Sequence, residues 1–356
     1  MTADSRAEQK PVLAALPRIT GQLNRIFTIL LLGGLAVWLI INFVKALDQF
    51  LSVTLTGITQ GAIYALVALG YTLVYGIIEL INFAHGDVFM WGTMITVTVA
   101  GTRLGLDGSQ SGLVTAGGLL LTLFVAMVFC GALNTGIEFV AYRRLRNAPR
   151  LAPLISAIGV SFILSGVASA QFYGFNYTGV GDIMPTHVLF SLGGVPYRLK
   201  SLLVVGITIP VLLALVWWVR NTRQGKAMRA VAQDTEASRM MGIDVNRTIS
   251  ITFAVAGALA GAAGVLYVTY YTQTRFDLGF QLGLFAFTAA VLGGIGNLTG
   301  AALGALCIGL ITAYNDGLSW HAPGSDWTQS IVFTILILIL VFRPEGLLGE
   351  PEADRA

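Results

Sequence analysis

A chain of 356 residues has room for two soluble domains, but this one is 55% hydrophobic and 11% charged, with a mean hydropathy of +0.77. A soluble surface needs roughly a quarter or more of its residues charged, so the composition excludes a cytosolic enzyme and indicates one polytopic membrane bundle. The net charge of +3 says little by itself; the distribution of the charges along the chain says more.

Residues 1–25 mix Arg6, Lys10, Arg18 and Arg25 with Asp4 and Glu8 and read as a polar cytoplasmic tail. Ile26 to Val44 is too long for a signal-peptide core and has no small-residue cleavage site after it, so it reads as a first span. Apolar runs predict further spans near 50–78, 88–100, 113–137, 151–173, 202–219, 249–270, 282–295, 298–314 and 331–342, the last extending back to Trp327. The expected fold class is all-α and polytopic, with about ten transmembrane helices and both termini cytoplasmic. Charge tests this order: 16 of the 21 Lys and Arg residues fall on the inner side, leaving Lys45, Arg103, Arg198, Lys200 and Arg275 outside. The short third span and the pair around Gly293 to Gly300 also fit re-entrant segments, and Gly174 to Arg198 is the longest external loop. Spans two to five and seven to ten would have opposite topology, the arrangement of an inverted repeat.

The longest polar interval between two apolar ones is Arg220 to Arg247, which carries six basic residues. Its interior is helical in character. Lys226 to Ala232 contains good helix formers, Asp234 can cap a second short helix with Glu236 in its first turn, and Gly242 suits that helix's C-terminal end. Two short helices held to the membrane by basic flanks would make a cytoplasmic docking surface.

Glycine numbers 42, and the pairs Gly57/Gly61 and Gly257/Gly261 and the set Gly296/Gly300/Gly304 have the spacing that lets helices approach closely. Glu79, Asn82, His85 and Asp87 cluster between the second and third spans. Polar groups in lipid are costly and often functional, so a relay or substrate site is one reading. The plainer and preferred reading is an interhelical turn, with Asn82 and Asp87 satisfying free backbone ends and Gly86 permitting the bend. The run Leu292 to Leu306, with Gly293, Gly294, Gly296, Asn297 and Gly300, reads either as a helix break lining a pathway or as a compact hairpin turn. Together with Asn82 and His85 these are the candidate pathway residues. No carboxylate or basic side chain falls clearly inside a confident span, so net-neutral solutes are expected. Cys130 and Cys307 lie in apolar spans without metal-type spacing, and neither a metal nor another cofactor is expected. The chain contains no GxSxG, no HExxH and no phosphate-binding GxxxxGK[ST], so it does not hydrolyse nucleotide itself.

Three stretches carry a family resemblance: GAIYALVALGYTLVYGIIELINFAHGD from Gly61, GKAMRAVAQDTEASRMMGIDVNRTISITFAVAGALAGAAGVL from Gly225, and AAVLGGIGNLTGAALGA from Ala289. Together they resemble the H-type permease subunits of branched-chain amino-acid ABC importers, a family that also includes urea and short-chain amide permeases. Importer permeases carry an ATPase-docking motif of the form EAAxxxG, which Glu236, Ala237, Ser238 and Gly242 match. Downstream, Thr252 and Ala254 stand where that motif has Ile and Leu, and its proline is missing.

The resemblance implies a type II-like importer architecture and a docking set of Gly225, Arg229, Asp234, Glu236, Ala237, Ser238 and Gly242. It implies residues 1–49 as an added tail and span, 50–348 as the permease domain and 349–356 as a C-terminal tail. The implied partners are two ABC ATPase subunits, a paralogous M-type permease, an extracytoplasmic binding protein and the lipid bilayer of a bacterial plasma membrane, with no nucleic acid. The implied substrates are leucine, isoleucine and valine. Rival readings are a urea or amide permease and, from a different class, a proton-coupled carrier using Glu79, His85 or Asp87; an intramembrane enzyme is more distant.

Overall fold

The computed structural model describes residues 33–80, 82–146, 148–149, 151–171, 177–184, 187–192, 194–343 and 345–349. The predicted tail, the start of the first span, Arg150, Gly174, Pro185 and residues 350–356 with Arg355 lie outside the described residues. The chain is mainly helical: α1 Gly33–Lys45, α2 Leu47–Ile78, α3 Ala84–Thr96, α4 Gly112–Ile137, α5 Leu151–Gln171, α6 Leu199–Asn221, α7 Arg223–Gln233, α8 Thr235–Met240, α9 Val245–Tyr271, α10 Leu278–Gly293, α11 Leu298–Gly317 and α12 Ser325–Phe342. A π-helical stretch, Val97–Arg103, continues α3; Glu138–Tyr142 and the 3-10 turn Arg143–Leu145 continue α4.

Helices occupy all ten predicted places. Seven of them (α2, α4 with its continuation, α5, α6, α9, α11 and α12) have the length and apolarity to cross a membrane, whereas α1, α3 and α10 are shorter. Among the described residues, four short strands are the exception to an all-α fold. β1 Thr178–Gly179 pairs with β4 Gln273–Thr274, and β2 Val188–Leu192 with β3 Val195–Arg198, both antiparallel.

α2 is apolar around its whole circumference and buried on every side between Gly61 and Val74, the pattern of a helix enclosed by other helices. It packs on α11, α9, α10 and α6. The small residues make this possible. A Cβ on Gly61 would lie 2.8 Å from the Leu306 backbone, and one on Gly57 would lie 3.0 Å from that of Leu310. A Cβ on Gly257 would strike Asn134 at 2.7 Å, and Gly261 approaches Ala126 equally closely, joining α9 to α4. These two predicted sets are packing contacts. Gly296 of the third set is not: it has a φ of +94° and open space around it, so it serves a turn.

The connecting segments sort into two ends. At one, Trp38 and Asn42 of α1 hydrogen-bond the Trp320 carbonyl, at 3.0 and 3.4 Å, and Arg275 lies over the Tyr177 ring. At the other, Glu79, Arg146 and residues 231–236 line one cavity, and residues 295–299 line another with α7.

Candidate functional site

The predicted docking loop is the helix pair α7–α8. Thr222 caps α7 by accepting from the Gly225 amide at 3.1 Å. Gly225 sits so tightly on the end of α6 that a Cβ would lie 2.6 Å from the Trp218 carbonyl, which fixes the turn between the two helices. Met228 and Val231 face inward with Gly225, while Arg223, Lys226 and Arg229 form an exposed basic stripe. The Arg229 guanidinium bonds the Val219 and Arg220 carbonyls, so it caps α6 from outside.

Asp234 caps α8 as its position suggests, accepting from the Glu236 and Ala237 amides at 2.8 and 2.9 Å. Gly242 has a φ of +82° and ends α8: its amide bonds the Arg239 carbonyl, and the Ile243 amide reaches the Ser238 carbonyl, each at 3.0 Å. This is the six-to-one closure that follows a left-handed residue. Asp244 then caps α9 through the Arg247 amide. Glu236 and Gly242 are exposed, Ala237 is half-buried and Ser238 is buried against its own chain. Sequence reasoning passed over Met240 and Met241, which are both 82% exposed at the tip of α8. The signal was present: two apolar residues where a water-facing helix ends.

Two cavities flank the last turn of α2 under this loop. One of about 480 Å³ lies between Thr72, Gly76, Val219, Met228 and Gly296–Thr299. The other, about 590 Å³, lies between Ile77–Leu80, Arg146, Gln233–Glu236 and Arg239. Beside them Glu138, fully buried, accepts from Arg143 at 2.8 Å, from Ser250 at 2.8 Å, and from Arg146. Arg146 also donates to Asn246, so the end of α4 is tied to the first turn of α9. Glu138 escaped the sequence reading because it stands one residue beyond the predicted span. It lies in the unbroken helical continuation of α4, and Asp87 lies in α3, which amends the expectation that carboxylates are absent from the spans.

Leu292 to Leu306 contains a compact turn between α10 and α11, and residues 295–299 at that turn line the first of these cavities. Gly294 (φ +105°) and Gly296 (φ +94°) reverse the chain, and Asn297 caps α11 by accepting from the Gly300 amide at 3.1 Å. Gly293 and Gly300 touch backbone to backbone. The loose carbonyls are taken by the C-terminal segment: Leu347 N–H bonds Leu292 O and Leu348 N–H bonds Gly293 O, while Asn297 donates to Leu348 O at 2.8 Å.

The interhelical turn expected at 79–87 is confined to 79–83, and other residues than those expected make it. Glu79, at φ +53°, makes the bend, while Gly86 lies inside α3 with a Cβ position 2.8 Å from Gly283 of α10. Asn82 accepts from the Tyr142 hydroxyl at 3.1 Å and donates to Asn134 at 3.4 Å, serving α4 and not a helix end. His85 is fully buried, wedged against Gly70 and edge-on to Tyr71 with ring centroids 4.8 Å apart. The Val67 carbonyl faces it, outside hydrogen-bonding geometry. The physical reason is that α3 starts four residues earlier than its apolar run, so the chain folds back into the bundle two turns above the end of α2. Among the described residues, no group of His, Cys, Asp and Glu side chains is arranged to hold a metal ion.

Comparison with known proteins identifies the family. Residues 53–341 match the family described as branched-chain amino acid transport system / permease component. The high-affinity branched-chain amino acid transport system permease protein BraD of Pseudomonas aeruginosa is 39% identical over 312 residues, covering 86% of this chain and 98% of that one. Its counterpart LivH of Escherichia coli K12 is 36% identical over 316 residues, with 86% and 97% covered. The autoinducer 2 import system permease protein LsrD of Escherichia coli is more distant, at 28% over 251 residues, 67% of this chain and 70% of that one. No solved structure matches. With its capped α7–α8 pair, its bundle of apolar helices and a family match spanning most of its length, the chain belongs to the permease component family of branched-chain amino acid transport systems.

Proposed function

We propose that this chain is a transmembrane subunit of an ATP-binding cassette importer that moves leucine, isoleucine and valine across a bacterial plasma membrane. In this reading it makes ten crossings with both termini cytoplasmic, and residues 1–49 are an addition to the permease proper. It pairs with a paralogous M-type permease, receives substrate from an extracytoplasmic binding protein and is driven by two separate ATPase subunits.

The observation that carries the reading is the α7–α8 surface. It is a helix pair with every exposed end capped, basic along α7, and ending in two bare methionines beside Glu236 and Gly242. Methionine side chains adapt to an irregular apolar groove, so Met240 and Met241 are the anchors, with Glu236 and Arg239 as polar contacts around them. Buried Ser238 supports α8 from beneath. α7 also rests on the end of α2, a 32-residue helix about 48 Å long whose other end lines an outer cavity. A movement imposed on α7 by closure of the ATPases would therefore reach the far side of the bundle along one rigid rod. His85 and Asp87 are packed against the backbones of α2 and α10, which favours this reading over a proton-coupled carrier.

The test is co-purification of the ATPase subunits with wild-type and Gly242→Asp permease at equal membrane abundance, alongside uptake of leucine, isoleucine and valine and of urea and acetamide. A carboxylate and a Cβ at a left-handed helix end on a contact surface should abolish both ATPase retention and leucine uptake. Full retention with normal uptake would place the docking surface elsewhere. Uptake of urea or acetamide without leucine would overturn the substrate assignment.

A further inference from the structure

At the end of the bundle away from α7–α8, a cavity of about 480 Å³ opens between the first turns of α2, the last turn of α9 and the corner where β3 enters α6. Its volume is in the range of small-molecule sites. The wall has a definite chemical layout. Leu55, Tyr270 and Tyr271 supply apolar and aromatic surface. Lys200, Arg198 and Asp182 supply charge to the same cavity.

Lys200 is the informative residue. Its side chain is only 8% exposed, and among the described residues its ammonium has one hydrogen-bond partner, the Asp182 carboxylate, whose own side chain is 54% exposed. An ammonium carries three donors, and a buried charge is stable only when paired and hydrogen-bonded. The ammonium thus has donors to offer a ligand in the cavity it lines, and the half-exposed carboxylate beside it lines the same space.

We propose that this cavity is a transit site for a free zwitterionic amino acid, resting on the reading that the importer carries neutral aliphatic amino acids. Lys200, with Arg198 beside it, takes the substrate carboxylate; the half-exposed Asp182 carboxylate takes its ammonium; and the aliphatic side chain lies against Leu55, Tyr270 and Tyr271. The inner floor is polar. Tyr271 is in polar contact with Gln60, which accepts from the Thr312 hydroxyl at 3.3 Å, and its ring sits 4.6 Å from that of Tyr267. Tyr271 therefore stands between the outer cavity and the buried polar groups Tyr64 of α2, Tyr267 of α9 and Thr312 of α11. Its displacement by α2 movement would pass the zwitterion inward with polar partners waiting.

The test uses the assembled importer in nanodiscs without binding protein, probed with radiolabelled leucine, and the same importer in proteoliposomes with binding protein for uptake. Unlabelled 4-methylpentanoate, which lacks the ammonium, and isoamylamine, which lacks the carboxylate, serve as competitors. Lys200→Gln should weaken leucine binding and uptake by roughly 10- to 100-fold, the weight of one charge-assisted hydrogen bond, and Lys200→Arg should retain most of both. Asp182→Asn, at a half-exposed position that tolerates the change, should bind leucine less well and 4-methylpentanoate no worse than wild type. The swap Lys200→Asp with Asp182→Lys keeps an ion pair but reverses the poles, and should not restore leucine.

Wild-type binding and uptake in Lys200→Gln, or full restoration by the swap, would mean that the pair only tethers residues 177–184, and the proposal would fall. That failure is distinct from failure of the functional reading, in which the wild-type importer itself would not take up leucine.

Discussion

Two connectors in this chain look alike as sequence and behave oppositely as structure. Residues 222–244 and residues 79–87 are both polar breaks between apolar helices, each with acidic side chains and glycine. In the first, Thr222, Asp234 and Asp244 cap three successive helices, and Gly242 turns the chain at φ +82° with open space around it. In the second, Asn82, His85 and Asp87 are buried and Gly86 has helical angles, its missing Cβ making room for another backbone. Capping chemistry governs a connector that faces water, because there the helix ends must be satisfied locally. A connector that folds back into the bundle is governed by the space left for it, here by Gly70, Gly279 and Gly283, the last nearly 200 residues along the chain.

The sharpest way to break this comparison is to substitute one glycine from each connector. Gly86→Leu drives a side chain into the α10 backbone at Gly279 and Gly283, where neither partner can yield without moving a helix. Overpacking of a close-packed interior costs about 1–3 kcal/mol when side chains can adjust and more when backbone must move. We expect about 3 kcal/mol or more, read as loss of folded permease by fluorescence-detected gel filtration of the solubilised membrane. Gly242→Ala meets nothing and pays only the left-handed backbone penalty of about 1 kcal/mol, so its membrane abundance should match wild type. Equal behaviour of the two variants would erase the distinction.

The next effect tests the boundary between the connectors, where Glu138 ties α4 to α9. Glu138→Gln removes the only carboxylate that bridges Arg143 and Arg146 among the described residues. Breaking a buried pair usually costs about 3–5 kcal/mol. The arginine side chains here are 31% and 18% exposed and can turn to water, so about 2 kcal/mol is the better figure. A thermal-shift measurement on purified permease should fall accordingly, and an unshifted midpoint would mean that the tie between α4 and α9 is not part of the folded state's stability.

How much of this was legible beforehand follows from the same distinction. The places of the apolar helices could be read from hydropathy, and the caps Asp234 and Gly242 from local grammar, because both depend on a few consecutive residues. The family motif around Glu236 could be read too. The start of α3 could not, since its first four residues are as polar as a turn and are helical only because α2, α5 and α10 enclose them. Glu138 and Lys200 were hidden for a related reason: each is an ordinary charge at a span edge until the fold brings Arg146 or Asp182 to it. The strands β1 and β4 pair residues nearly 100 positions apart, beyond any local pattern.

A smaller effect is expected at His85, where the buried connector contains a group that looks catalytic. His85→Gln loses the edge-on contact with Tyr71, worth about 1 kcal/mol, and removes the imidazole as a proton relay, leaving Asp87 in place. If the cluster is packing, leucine uptake per folded transporter stays at the wild-type level while thermal stability drops slightly. A folded, correctly inserted His85→Gln permease without uptake but with normal ATPase stimulation would make the buried connector functional after all.

The smallest effect on the permease itself is expected at the tip of the exposed connector, and that smallness is what makes it diagnostic. Met240 and Met241 are almost fully exposed and support nothing in their own chain. Replacing both with serine should change the thermal stability of the isolated permease by no more than about 0.5 kcal/mol, the usual range for surface substitutions. In the assembled importer the same side chains would be buried, and each buried methionine is worth about 1.5–3 kcal/mol relative to exposure. The double variant should therefore hold its ATPase subunits markedly less well, releasing them during purification or at raised detergent. The two measurements must diverge. A variant that loses stability along with its partner would show that the methionines pack within the permease. One that keeps both would remove them from the interface and leave the polar residues Glu236 and Arg239 to hold it.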